Sequence, residues 1–148
     1  MLTIRQAVLP DHAGLEALLS RASLATGEHV DELLAHPETL LIPVEHLAHT
    51  IVAEAGGRIL GFCTLLPTAP EFREVDALFI EPDAWRTGLG KTLLSHAEEA
   101  AIRDGATALG VVSGRYAEPF YKALGFQPSG TERTLFGPAA RLVKPLTG

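Results

Sequence analysis

The order of helical and β-prone segments in this 148-residue chain predicts a mixed α/β domain around a central, largely antiparallel sheet. Three observations carry that reading. Gly56-Gly57 lies between two β-prone runs, a strong hairpin signal. The apolar run Leu78-Phe79-Ile80 stops at Pro82 and passes through Gly88 and Gly90 into a helical pattern, a strand–turn–helix junction. Beyond it, β-prone and helical stretches alternate to the end of the chain.

Taken in order, Leu2 to Ala7 reads as a first strand. Asp11, preceded by Pro10, is a plausible N-cap for a helix whose apolar residues Leu15, Leu18, Leu19 and Ala22 follow helical spacing. Thr26 to His49 is less regular and reads as a second helix or two short ones. Ile51–Ala55 and Arg58–Leu66 are the two arms of the hairpin, and Pro67 to Arg73 a connecting loop. Glu74 to Ile80 is the next strand. Leu89, Leu93, Leu94, Ala97 and Ala101 form one apolar helix face, ended by Gly105. Ala108 to Ser113 is a strand, Ala117 to Leu124 a short helix with Gly125 as its C-cap, and β-like pieces follow near Phe126 and at Arg141–Lys144.

The bulk properties bound the function. The chain fits one domain, residues 1–148, and at 47% hydrophobic and 20% charged it has an ordinary globular balance. A domain of this size buries roughly 70% of its unfolded surface and needs no covalent staples. A net charge of −6 argues against nucleic-acid binding as the main activity. Cys63 is the only cysteine, so no internal disulfide is expected, and its apolar setting predicts a buried, reduced thiol. Met1–Gln6 lacks the basic and apolar regions of a signal peptide, and no apolar run reaches the roughly 18 residues of a membrane helix. The expectation is a cytoplasmic protein without a membrane partner. His46 and His49 are three apart but have no third ligand at convincing spacing, so no metal is expected.

The junction after Ile80 carries the chemistry. A strand running through a glycine-rich turn into a helix aims bare backbone N–H groups and a helix dipole at one point, which suits a phosphate or pyrophosphate. Gly90-Lys91-Thr92 looks like the end of G-x-x-x-x-G-K-[ST], but the first glycine of that motif would fall on Trp85, so the match fails. Trp85-Arg86-Thr87-Gly88-Leu89-Gly90 instead resembles the [Q/R]-x-x-G-x-[G/A] acetyl-CoA loop of the GNAT N-acetyltransferases, with Trp85 where that family usually has glutamine or arginine. Further on, Ala117-Glu118-Pro119-Phe120-Tyr121-Lys122-Ala123-Leu124-Gly125-Phe126 resembles the family's A-x-x-F-Y-x-x-L-G-F segment. The two motifs, the hairpin and the Leu78-Phe79-Ile80-x-Pro82 strand end occur in the family's order. The resemblance covers roughly Thr3 to Leu146, and its specific part is Glu74 to Phe126.

The resemblance implies the GNAT fold, in which two parallel strands, here Glu74–Ile80 and Ala108–Ser113, splay into a V-shaped gap. It implies acetyl-CoA as co-substrate. The pantetheine arm would pair with the strand around Leu78, Phe79 and Ile80, and the pyrophosphate would rest on the N–H groups of Arg86, Thr87, Gly88, Leu89, Gly90 and Lys91, with Phe120 and Tyr121 beside the cofactor. The activity implied is acetyl transfer to a primary amine by direct attack in a ternary complex. Such a reaction must remove a proton from the amine, hold an oxyanion and protonate the leaving thiolate. Tyr121 is the candidate general acid. Glu74 and Asp76, two apart on one strand and so expected on one face, are the candidate bases, Glu74 preferred for its reach. A backbone N–H of that strand, at Phe79 or a neighbour, would hold the oxyanion. Glu71 and Glu81 are expected in solvent.

One departure stands out. Seven residues before Tyr121, where many members carry a pantetheine-binding asparagine, this chain has Gly114. Ser113, Arg115 or a water would then have to compensate, and Tyr116 is a second phenol close by. The alternative that Gly114 leaves open is a non-catalytic acyl-CoA-binding or regulatory module. Glu28, Asp31, Glu32 and Glu71 would make either an acidic mouth for a cationic acceptor or ordinary surface charge. A homodimer through the C-terminal strands is compatible with the implied fold.

Overall fold

The computed structural model describes residues 1–147. Seven strands form one sheet in the order β1-β2-β3-β4-β5-β7-β6. The strands are β1 (Leu2–Gln6), β2 (Thr50–Ala55), β3 (Arg58–Ala69), β4 (Phe72–Ile80), β5 (Ala108–Ser113), β6 (Gln127–Thr134) and β7 (Gly137–Pro145). All neighbours are antiparallel except β4 and β5. Four helices flank the sheet: α1 (His12–Ala25), α2 (Val30–Ala35), α3 (Leu89–Arg103) and α4 (Glu118–Ala123). This is the mixed, mostly antiparallel architecture that the sequence predicts.

The two-residue period of the strands divides the core. Val52, Phe62 and Ala77 face α1 with Leu15, Leu18, Leu19 and Ala22. Ala53, Cys63, Leu65 and Val75 face the other way, with Leu93, Leu94 and Ala97 of α3 and Tyr121 of α4. The helical periodicities of α1 and α3 each mark the face that is buried.

Three readings change. Pro67 to Arg73 is not a loop: β3 runs to Ala69 and β4 starts at Phe72, so the hairpin is longer. The register breaks between Leu66 and Ala69, where Pro67, lacking an N–H, sits without weakening a regular ladder. Thr26 to His49 folds as the six-residue α2 followed by two 3₁₀ turns, Pro37–Leu40 and Val44–His49. Asp11 precedes α1 but does not cap it. Its carboxylate accepts the Val8 N–H (2.8 Å) and two bonds from Arg5 (2.8 and 3.0 Å), fastening β1 to the turn before the helix. Arg5 holds the Asp11 carboxyl below its ordinary pKa.

β4 and β5 touch at only three pairs, Phe72 with Ala108, Arg73 with Leu109 and Glu74 with Gly110. Beyond Glu74 they part. The closed end of the fork is clamped by Arg141 of β7, which donates to both Glu74 carboxylate oxygens (2.6 and 3.0 Å) and lies over the Phe72 ring. Gly110 admits this packing, since a Cβ there would stand 2.5 Å from the Phe72 ring.

Candidate active site

Past the fork, Val75–Phe79 of β4 and Val111–Gly114 become the walls of a cavity of about 260 Å³. Tyr116, Ala117 and Tyr121 line it from the α4 side of the sheet, and Ser23, Thr26, Glu28 and Leu33 from the α1 side, so it passes through the gap. Phe136, at the tip of the β6–β7 hairpin, also lines it.

Antiparallel alternation decides what β4 offers to the gap. Glu81 donates its N–H to the Leu60 carbonyl (2.8 Å), which makes Leu60 and Glu81 a hydrogen-bonded pair. Two residues back, Phe62 and Phe79 are the next such pair, so Leu78 and Ile80 turn their N–H and C=O groups away from β3, toward the gap. The main-chain groups of Phe79 are therefore directed at β3. The expected oxyanion donor moves to its neighbours, and Phe79 contributes to the cavity through its side chain.

A β-bulge shapes the next part of the strand. Leu65 pairs with Val75 and Thr64 with Ala77, which leaves Asp76 as an extra, unpaired residue. Across the bulge Glu74 and Asp76 still line one cavity of about 530 Å³, together with Glu132 and Arg141, but their partners differ. Glu74 stays at the closed end in its ion pair with Arg141, outside the 260 Å³ cavity, whereas Asp76 lines it. His46 Nδ1 lies 3.5 Å from the Asp76 carboxylate. No motif marked His46 for this place. It comes from a 3₁₀ turn brought over the sheet by the long connection between α1 and β2.

Tyr121 is buried, with Phe120 and Phe126 edge-on at 5.1 and 5.2 Å. Burial raises the phenol's pKa, with the Cys63 thiolate adding to it, so the group keeps its proton across the physiological range. Tyr116 is half exposed and stacks against Trp85 at 5.6 Å, which sets the two phenols apart by environment. Cys63 is fully buried, and its thiol is pushed up to about 12, first by burial and then by the charge of Glu98. It is an inert core residue, as the sequence predicts.

The glycine loop folds as a left-handed turn into α3. Gly88 has φ +83° and Arg86 φ +65°. The first helical bond runs from the Thr92 N–H to the Gly88 carbonyl (3.0 Å), leaving the N–H groups of Leu89, Gly90 and Lys91 without partners in the helix. Among the described residues, the N–H groups of Arg86, Thr87 and Gly88 make no backbone bond either. Arg86 and Lys91 are exposed and form no ion pair among the described residues. Trp85 donates its indole N–H to the Ile80 carbonyl (2.8 Å), tying the turn to the strand end. The ring at this departure from the motif thus acts as a brace, outside the run of free N–H groups.

Gly114 has an equally local explanation. A Cβ there would stand 2.5 Å from a Glu28 carboxylate oxygen, and the same carboxylate accepts the Arg115 N–H (2.9 Å). Glu28 fills the space that a side chain at position 114 would need, and presents a carboxylate to the cavity instead.

Glu81 is not in solvent. It is 5% exposed and takes a bidentate contact from Arg21 of α1. Glu71 sits in the β3–β4 turn, beyond the closed end of the fork, and Glu32 is paired with His29 (2.8 Å), so the four acidic residues do not converge. Among the described residues no group of three or more His, Cys, Asp or Glu side chains is placed to hold a metal.

The model of the acetyltransferase (GNAT) family matches residues 17–126, which run from within α1 through the fork and the glycine loop to Tyr121 and beyond. The chain belongs to this family. Among curated proteins, a UPF0039 protein of Schizosaccharomyces pombe is 25% identical over 100 residues, a match that spans 66% of this chain and 66% of that one. Among solved structures, the PaiA N-acetyltransferase of Thermoplasma acidophilum, in complex with coenzyme A, superposes with a TM-score of 0.81 at 19% identity, covering 99% of both chains. The N-acetylglutamate synthase of Neisseria gonorrhoeae, complexed with coenzyme A and N-acetyl-glutamate, superposes with a TM-score of 0.78 at 22% identity. The alignment covers 100% of this chain and 36% of the gonococcal one. At these identities the structural likeness establishes the GNAT fold.

Proposed function

We propose that this GNAT protein is an acyl-CoA-dependent N-acyltransferase that moves the acetyl group of acetyl-CoA to a primary amine by direct attack. The observation that carries the reading is the parting of β4 and β5 beyond Glu74 over the buried phenol of Tyr121. Structural neighbours crystallised with coenzyme A support the choice of ligand.

In this reading the gap-facing groups of Leu78 and the N–H of Ile80 pair with the pantetheine arm, and Phe120 and Tyr121 flank it. The free N–H groups from Arg86 to Lys91 take the pyrophosphate, helped by the dipole of α3 and by the Arg86 and Lys91 side chains. Glu28 accepts a pantetheine amide N–H where asparagine serves in other members. Asp76, with His46 beside it, takes the proton of the acceptor ammonium. The freed nitrogen attacks the thioester carbon, and a β4 N–H holds the resulting oxyanion. The C–S bond then breaks, its electrons go to sulfur, and Tyr121 protonates the departing thiolate. The products are an acetamide and free CoA. Glu74 is a structural residue in this scheme because Arg141 already occupies both its oxygens.

Calorimetric titration with acetyl-CoA, with ATP as control, tests the first half of the reading, and free CoA release in the presence of amines tests the second. Acetyl-CoA binds and ATP does not. Tyr121→Phe lowers turnover by about 10²–10⁴-fold while acetyl-CoA affinity stays within about threefold. Failure to bind acetyl-CoA overturns the proposal. Binding without CoA release from any amine favours a non-catalytic acyl-CoA-binding module.

A further inference from the structure

A second cavity of about 350 Å³ adjoins the first on the α1 face of the sheet, and Asp76, Ala77, Phe79 and Phe136 line both. An amine reaching Asp76 from the side opposite Tyr121 would occupy it. Its volume is at the small end of ligand sites, which run to about 300–1,000 Å³. Its walls are mainly apolar: Leu19, Leu40, Ile42, Phe62 and Phe79, with Phe136 at the rim. The Thr64 hydroxyl is already bonded to Thr50 (2.7 Å), and that of Thr39 to the His36 carbonyl (2.7 Å).

The charge pattern is selective. Asp76 is the one carboxylate among the lining residues, and none of them is lysine or arginine. His46, the remaining titratable group, lies against Asp76. One ammonium can be paired at Asp76. Within this cavity a second ammonium would find no second carboxylate, and an acceptor's own carboxylate or phosphate would find no arginine or lysine. An unpaired charge in an apolar site costs far more than it gains.

Building on the acyltransferase reading, we propose that the acceptor is a small primary monoamine carried on an apolar or aromatic body, and not a polyamine, an amino acid or an aminoglycoside. The one ammonium meets Asp76 and His46, and the body fills the cavity under Phe136. Glu28 faces the first cavity, where one of its oxygens accepts the Arg115 main-chain N–H, and does not line the second.

The test is free CoA release at saturating acetyl-CoA with phenethylamine, phenylalanine and spermidine. The first carries one ammonium on an aromatic body, the second adds a carboxylate, and the third carries several ammonium groups. Phenethylamine is expected to exceed both others in kcat/KM by at least about tenfold. Leu40→Glu, which adds a second carboxylate to the wall from a half-buried position, should narrow the phenethylamine-to-spermidine ratio by about fivefold or more, with acetyl-CoA affinity as the check on folding. If acetyl-CoA binds but phenylalanine or spermidine is used as well as phenethylamine, or phenethylamine is not used, the acceptor assignment is overturned. Loss of acetyl-CoA binding in the unmodified protein would overturn the acyltransferase reading beneath it as well.

Discussion

At the scale of single residues, two carboxylates that look interchangeable in the sequence are separated by their neighbours. Glu74 has both oxygens committed to Arg141, whereas Asp76 opens onto the cavities with His46 Nδ1 at 3.5 Å. Asp76→Asn should lower kcat/KM by about 10²–10⁴-fold with stability nearly unchanged. Glu74→Gln should leave kcat within about threefold and instead cost about 1–3 kcal/mol of stability, because it strands a half-buried guanidinium. Steady-state kinetics and urea denaturation of both variants check this, and the reverse pattern would restore Glu74 as the base. The place of Tyr121 beside the fork is legible because its segment has a distinctive order of residues. The ion pair that occupies Glu74 is not legible in the sequence, because its partner Arg141 lies 67 positions away along the chain. The place of His46 beside Asp76 was invisible for the same reason: it comes from a contact with a strand 30 positions away along the chain, and local spacing carries no trace of that.

At the scale of elements, the strand–turn–helix junction is where sequence and structure agree best. Apolar periodicity marked the buried face of α3, and the glycines marked its start. Gly88→Glu tests that junction. A side chain at φ +83° strains the turn by about 1–2 kcal/mol, and a carboxylate there opposes a pyrophosphate. Acetyl-CoA affinity should fall at least about tenfold while the far-ultraviolet dichroism stays native. Unchanged affinity would remove the loop as the phosphate site. The segment Thr26–His49 was poorly legible because its order comes from tertiary contacts. His12 meets the Ile42 carbonyl, and Glu16 accepts the Ile42 N–H (2.7 Å), so α1 and not local propensity fixes its path. The length of the first hairpin was likewise hidden behind Pro67, which punctuates the sequence without ending the strand.

At the scale of the whole molecule, one sheet separates two apolar layers, and the buried acids of the α3 layer tie stability to alkaline pH. The Cys63 thiol holds its proton to about 12 in the folded protein, against 9.0 for an ordinary thiol. A raised folded pKa contributes stability that is complete below the unfolded value and is lost as pH rises toward the folded one. Between pH 8 and 10 the loss from this group is about 1.4 kcal/mol, since the unfolded chain ionises and the folded one does not. Cys63→Ala, though less stable at neutral pH, should lose correspondingly less over that interval in urea titrations, and an equal loss would mean the thiol is not the source. The same layer explains the bulge at Asp76. A strand keeps a two-beat rhythm, and one extra beat inverts its phase. With Ala77 and Phe79 fixed against α1, an uninterrupted β4 would deliver Asp76 to the side of Leu78 and Ile80, among the leucines of α3, and Val75 to the opposite side. A lone carboxylate in that layer would give up its charge or several kcal/mol of stability. The supernumerary residue is a phase slip that lets one strand seal a hydrocarbon layer above the fork and turn an acid outward within it.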